Sequence, residues 1–188
     1  MKQNFFRAAA AAAVLFLFAV SVQAYEIQKG TISIGGASNI FYKSRNFDKS
    51  GTSKTYSLFL DGGYFIRNNL ELGAELLLES YDAGDYESRS YSLSPFIMYH
   101  IPLDEQSNII AGGGLGYSKY ETDEDNTTYE SRGATMFGEV GWEYFFNPHV
   151  AMNISFNLRH IEWKLDNYSV DKDGETSILT KLGLKAFF

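Results

Sequence analysis

No cysteine occurs in the 188 residues. If exported, a domain of this size without disulfides must be held by something else, and a closed hydrogen-bonded sheet in a bilayer would serve. Proline is scarce at 3 residues while Tyr 13 and Phe 15 are abundant, a strand-rich composition with aromatics to spare for membrane interfaces. Basic residues are outnumbered, 16 against 23 acidic, and the formal charge of -7 argues against a nucleic-acid partner. Beyond the N-terminal region no apolar run approaches the ~18 residues that a helical span requires. A membrane protein of this sequence is therefore a barrel, because only helices and closed barrels satisfy every backbone group in lipid.

The N-terminal region has the form of a secretory signal peptide. Lys2 and Arg7 supply positive charge, Ala8 to Val20 is free of polar residues, and Val22 and Ala24 stand where a signal peptidase reads. That apolar run is too short to span a bilayer as a helix. Cleavage after Ala24, with 1–24 as the signal, leaves 25–188 as one domain.

The remainder alternates apolar and polar residues with a period of two, the pattern of strands whose successive side chains leave opposite faces. Eight stretches qualify. The first, about Gly30 to Lys43, places Ile32, Ile34, Ile40 and Tyr42 opposite Thr31, Ser33 and Asn39. The second, Lys54 to Arg67, sets Tyr56, Leu58, Leu60, Tyr64 and Ile66 against Thr55, Ser57, Asp61 and Gly63. The third, Leu70 to Tyr81, opposes Leu72, Leu76 and Leu78 to Glu71, Glu75 and Glu79. The fourth, Arg89 to Ile101, opposes Tyr91, Leu93, Ile97 and Tyr99 to Ser90, Ser92, Ser94 and His100, and Pro95 within it predicts a bulge. The fifth, Asn108 to Tyr120, opposes Ile109, Leu115 and Tyr117 to Gly112, Gly114, Gly116 and Ser118; its glycines make room where a barrel wall curves or a bulky neighbour leans in. The sixth, Gly133 to Phe145, sets Met136, Val140, Trp142 and Tyr144 against Thr135, Phe137, Glu139 and Glu143. The seventh, Val150 to Trp163, sets Met152, Ile154, Phe156, Leu158 and His160 against Asn153, Ser155, Asn157 and Arg159. The last, Thr176 to Phe188, sets Ile178, Leu182, Leu184 and Phe188 against Leu179, Lys181, Gly183, Lys185 and Phe187.

Connections alternate in length. Arg67 to Leu70, Pro102 to Ser107 and Phe145 to Val150 are short, whereas Ser44 to Ser53, Asp82 to Ser88, Glu121 to Arg132 and Leu165 to Glu175 are longer and polar. Short turns at one rim and long loops at the other are the periplasmic and extracellular ends of an outer-membrane barrel. The fold expected is all-β, an eight-stranded antiparallel up-and-down transmembrane β-barrel.

The polar face decides which side meets water. It carries mostly Ser, Thr, Asn and Gly with a few charges, which suits a crowded lumen better than an exterior bathed in solvent. The apolar face ends in aromatics: Tyr64, Tyr99, Trp142, Tyr144 and Phe188 near the short-turn rim, Tyr42, Tyr56, Tyr91 and Tyr117 towards the other. Two such belts match the interfacial girdles of a membrane barrel.

The hairpin Gly63-Tyr-Phe-Ile-Arg-Asn-Asn-Leu-Glu-Leu-Gly-Ala74, the similar Gly141-Trp-Glu-Tyr-Phe-Phe-Asn-Pro-His-Val-Ala151, and the terminal Phe188 resemble the OmpA/OmpX-like eight-stranded outer-membrane barrels, often labelled the porin family. The resemblance covers the whole mature chain and brings no catalytic motif. It implies a Gram-negative cell-envelope protein, a terminal Phe188 read by the barrel-assembly machinery, passage with periplasmic chaperones, contact with outer-membrane lipids and lipopolysaccharide, and a monomer.

With the apolar face in lipid, Asp61, Glu71, Glu75, Glu79, Glu139 and Glu143 are enclosed with Arg159, Lys181 and Lys185. Eight strands leave an interior about wide enough for side chains to fill. Unpaired charges there are costly, so Arg159 and the two lysines are expected to bridge carboxylates of the third and sixth strands. The favoured reading is a polar plug; the rival is a narrow ion channel.

Catalysis has one candidate. Arg159-His160-Ile-Glu162 resembles part of the lipid-facing Ser, His and Glu site of the eight-stranded lipid A deacylases, but no serine stands two residues beyond the histidine. The reading is no enzyme and no cofactor, with His160 meeting lipopolysaccharide head groups. Acidic Glu121 to Glu130 fails the EF-hand count, since Ala134 falls where the bidentate glutamate belongs, and Asp171 to Glu175 is too short for that loop. The expected function is an integral outer-membrane protein with a structural or surface-interaction role, adhesion or envelope integrity, its long loops presenting a surface to a ligand; a lipid A-modifying enzyme is the second alternative.

Overall fold

Alternation becomes architecture through pairing. The computed structural model describes residues 26–39, 54–82, 87–124, 127–165 and 174–188. Within them run β1 (Ile32–Asn39), β2 (Lys54–Arg67), β3 (Leu70–Asp82), β4 (Glu87–Pro102), β5 (Ser107–Glu124), β6 (Thr127–Asn147), β7 (Val150–Leu165) and β8 (Gly174–Phe187). Each pairs antiparallel with its neighbours in sequence, and β1 pairs with β8, so the sheet closes into a barrel. The seam continues one residue past β8, where Phe188 and Ile32 exchange backbone hydrogen bonds of 2.9 and 3.0 Å. The expected signal peptide, the upper part of the first stretch and the connections at Ser44 to Ser53 and 166–173 lie outside the described residues.

The greasy face points outward. Ile32, Ile34, Leu58, Leu72, Leu93, Leu115, Leu182 and Leu184 are exposed, whereas Glu71, Glu75, Glu139, Glu143, Arg159, Lys181 and Lys185 are buried. A soluble barrel would show the reverse.

The two similar hairpins share the same pairing. Arg67 pairs with Leu70 around Asn68-Asn69, Asn147 pairs with Val150 around Pro148-His149, and each ladder shifts register by one residue just before the turn, between Phe65 and Arg67 and between Phe145 and Asn147. Asn69 has φ 61°, the left-handed region that asparagine tolerates better than most residues.

Three sequence expectations are corrected. Pro95 causes no bulge: the β3–β4 and β4–β5 registers run past it unshifted, and the β5 ladder leaves 94–95 unpaired between Leu93↔Tyr117 and Phe96↔Gly114. The missing N–H is absorbed by two open pairs, and at Gly114 the carbonyl of Pro95 and the ring of Phe137 lie where a Cβ would sit. The stretch Glu121 to Arg132 is not a loop but a β-hairpin, paired from Glu121↔Glu130 up to Glu124↔Thr127. Threonine and tyrosine favour strands, and Lys119 joins Glu121 on its own strand and Glu130 across the ladder, which offsets the repulsion of the facing acids. Finally, the inner face is more apolar than Ser, Thr, Asn and Gly suggest, because Phe59, Phe65, Phe96, Phe137, Phe145 and Phe187 share it and fill the lumen.

Candidate functional site in the barrel lumen

The interior is built from side chains of one parity on every strand, and it is layered. At the short-turn rim, Phe65, Phe145, Ala151 and Phe187 form a dry cluster with Ile27. Ile27 belongs to a segment that crosses beneath the lumen before β1 begins. Asn69 clamps it, accepting from the Ile27 N–H at 2.7 Å through Oδ1 and donating its own N–H to the Ile27 carbonyl at 2.9 Å. Asn68 Oδ1 accepts from the Lys29 N–H at 2.9 Å, and Gly30, at φ 96°, donates to the Phe65 carbonyl at 2.9 Å. The strand expected from Gly30 begins at Ile32, and the residues before it form this closure instead.

Above the phenylalanines lies His100. Its Nδ1 is 2.9 Å from Glu143 and its Nε2 2.9 Å from Glu71, while its ring centroid is 5.0 Å from that of Phe65. A carboxylate only accepts and a neutral imidazole has one N–H, so two such contacts require one proton beyond the neutral ring and two carboxylates. Glu71 also accepts from Ser33 and from Lys185 at 3.0 Å, and Lys185 reaches Asp61 at 2.9 Å. His100 shares the inner face with Ser90, Ser92 and Ser94; that parity was the signal that could have added it to the candidate network.

The next level is held by strands far apart in sequence. Lys181 donates to Glu75 at 2.7 Å and to Glu139 at 2.7 Å, and Arg159 pairs with the other oxygen of Glu75. Glu139 also accepts from Ser155 at 2.7 Å and Asn157 at 2.8 Å. Aromatic faces pad the cations: Arg159 lies 4.8 Å from the Phe137 centroid, Lys181 4.6 Å from Phe59 and Lys185 5.8 Å from Phe96. Glu79 stands nearer the extracellular rim and accepts from Ser57 at 2.9 Å and Ser90 at 3.4 Å. Among the described residues a water-sized space of about 30 Å³ lies at the centre, bordered by Asp61, Glu143, Asn153, Lys181 and Lys185.

Outside, Tyr64, Tyr99 and Trp142 are exposed, and Trp142 stacks at 5.6 Å on half-buried Tyr144, whose hydroxyl donates to Gln106 at 2.9 Å. Tyr56, Tyr91 and Tyr117 are exposed towards the other rim, and Phe188 is exposed at the seam. His160 faces outward, 2.8 Å from Thr176 Oγ1, with Glu162 on the same face. Among the described residues no group of three or more His, Asp or Glu side chains is arranged to hold a metal ion.

Known structures repeat this architecture. Neisserial surface protein A is 17% identical with a TM-score of 0.63, covering 87% of this chain and 99% of its own. The N-terminal β-barrel domain of Pseudomonas aeruginosa OprF is 15% identical with a TM-score of 0.57, covering 86% and 100%. Yersinia pestis Ail, the attachment invasion locus protein, in complex with the heparin analogue sucrose octasulfate, is 15% identical with a TM-score of 0.53, covering 86% and 100%. At these identities the likeness is one of fold. No curated protein matches the chain. The family model for the outer membrane protein beta-barrel domain matches residues 10–180, and the chain belongs to that family as an integral protein of the bacterial outer membrane.

Proposed function

We propose that the chain is a closed, non-conducting wall protein whose extracellular rim is its working surface, with an adhesive or envelope-stabilising role. The filled lumen carries this reading. An ion crossing it would meet the charged layers of Arg159, Lys181, Lys185 and their carboxylates and then the dry Phe65, Phe145, Phe187 and Ile27 cluster. In this reading Asp61, Glu71, Glu75, Glu79, Glu139 and Glu143 form a polar plug with those cations that holds strand register. Reconstitution in planar bilayers tests it. Wild-type protein is expected to give no steady channels; steady channels whose conductance changes on Glu75→Gln would establish the rival narrow pore.

The working surface is the β5–β6 hairpin. Its Glu121 to Glu130 stretch is strongly acidic, so its partner is cationic or neutral, unlike the polyanion seated on Ail. Deleting 121–130 is expected to lower cell-surface binding while the heat-modifiable barrel persists. Unchanged binding would move the role to envelope stability. Phe188 serves the assembly machinery, so Phe188→Ala is expected to lower insertion, and the tyrosine and tryptophan belts set the depth of the barrel in lipid. A hydrolase is not supported, and lipid A from strains with and without the protein is expected to have the same masses.

A further inference from the structure

The lipid-facing wall is dented. On the outward face of β5 and β6 the cross-strand pair at mid-height is Gly113 opposite Gly138. Around these two glycines stand Ile97 on β4, Leu115 on β5, Met136 on β6 and Leu158 on β7, enclosing an open groove of about 740 Å³. Its upper end is polar, formed by His160 and Thr176, whose Nδ1 and Oγ1 are 2.8 Å apart. Four residues further up β5, ~14 Å at ~3.4 Å per residue, Lys119 faces Arg132 beside Glu121 and Glu130. The groove therefore runs from mid-height towards the extracellular rim, opening onto the membrane.

A groove of this lining in a bilayer is filled by hydrocarbon, since a void forfeits the contacts its walls would make. A second copy of the chain is a poor filler. An isologous contact sets the same patch against itself, and groove facing groove would enclose a larger hole. Flexible methylene chains do better: at ~30 Å³ per water-sized group, a groove of about 740 Å³ takes more than one acyl chain. The imidazole and hydroxyl at its end then sit where chains join their head group through ester, amide and hydroxyl oxygens. Lys119 and Arg132, which flank the acidic stretch and pair with Glu121 and Glu130, are the groups at that level that a phosphorylated head group would meet.

We propose that the groove between Gly113 and Gly138 is a binding site for the acyl chains of the outer-leaflet glycolipid, the lipid A part of lipopolysaccharide, with His160 and Thr176 hydrogen-bonding its linkage oxygens. Gly138 makes this testable, because a Cβ there meets nothing nearer than 4.0 Å, so Gly138→Leu enters the groove with its Cβ clear of the sheet. Gly62, an outward glycine on β2 whose added Cβ would come no closer than 3.6 Å to its surroundings, provides the control Gly62→Leu. Full-length barrels are reconstituted in phospholipid nanodiscs containing purified lipid A, and retained lipid is counted by native mass spectrometry. Wild type and Gly62→Leu are expected to retain lipid A, and Gly138→Leu to lose at least tenfold of it with heat modifiability unchanged. Should Gly138→Leu fail to fold, Leu158→Trp fills the same groove from a position already exposed. His160→Ala is expected to abolish the preference for lipid A over phospholipid. Retention by the filled variants at the wild-type level, equal retention of phospholipid by wild type, or efficient disulfide dimerisation of Gly138→Cys in the membrane would each overturn the proposal.

Discussion

Lys181 and Lys119 make the same contacts in opposite surroundings. Lys181 bridges Glu75 and Glu139 at 2.7 and 2.7 Å with side-chain exposures of 8%, 4% and 5%; Lys119 bridges Glu121 and Glu130 at 2.6 and 2.9 Å with exposures of 32%, 30% and 43%. Distance does not separate them, but solvent does. In the lumen each partner has lost its hydration, so a broken pair leaves a stranded charge. At the extracellular hairpin, water and salt replace whatever is lost.

The sharpest way to break the comparison is Lys181→Met, expected to cost ~3–5 kcal/mol in urea unfolding from lipid, because Glu139 keeps only Ser155 and Asn157. Adding Glu139→Gln should recover much of that loss, since the stranded charge disappears while Glu75 keeps Arg159. A double variant as unstable as the single would mean that the lysine acts by packing on Phe59. Next comes His100→Leu, which leaves Glu71 to Lys185 and Ser33 but removes the hydrogen-bond partner of buried Glu143; the same assay should show ~3 kcal/mol. Lys119→Ala should leave the unfolding midpoint at the wild-type value.

The smallest effect is one of pH. The hydrogen bond from Lys119 holds the Glu130 carboxyl below its ordinary 4.5. Because its folded-state pKa is depressed, its contribution is present above pH ~4.5 and fades as pH falls through the folded value. Amide exchange, corrected for intrinsic rates, should therefore show the β5–β6 tip losing protection between pH 5 and 3 while mid-barrel amides do not. Lys119→Ala should flatten that profile; a profile unchanged by the substitution would assign the loss to other acids of the hairpin.

Much of the wall is legible in the sequence. Leu182 and Lys181 are neighbours in the chain and opposites in space, and a period of two says so directly. The hairpins at Asn68-Asn69 and Pro148-His149 were legible as a pair because their sequences repeat. Other features were hidden. Acidity disguised 121–130 as a loop, since the support from Lys119 for the facing Glu121 and Glu130 depends on the register of β5 against β6. His100 could be placed inside by parity, but its partners lie 29 and 43 residues away. The segment before β1 carries no alternation at all, and its place under the lumen rests on Asn69.

The order of residues alone determined how many strands form, which face meets lipid and which charges go inside, because side-chain direction in a strand depends on position parity and burial on polarity. The tertiary structure decided which acid meets which base, that the floor of the barrel is sealed by Ile27 and three phenylalanines, and that two glycines on neighbouring strands meet to dent the wall. Those outcomes depend on register and closure around eight strands, quantities that only pairing across the sheet can set.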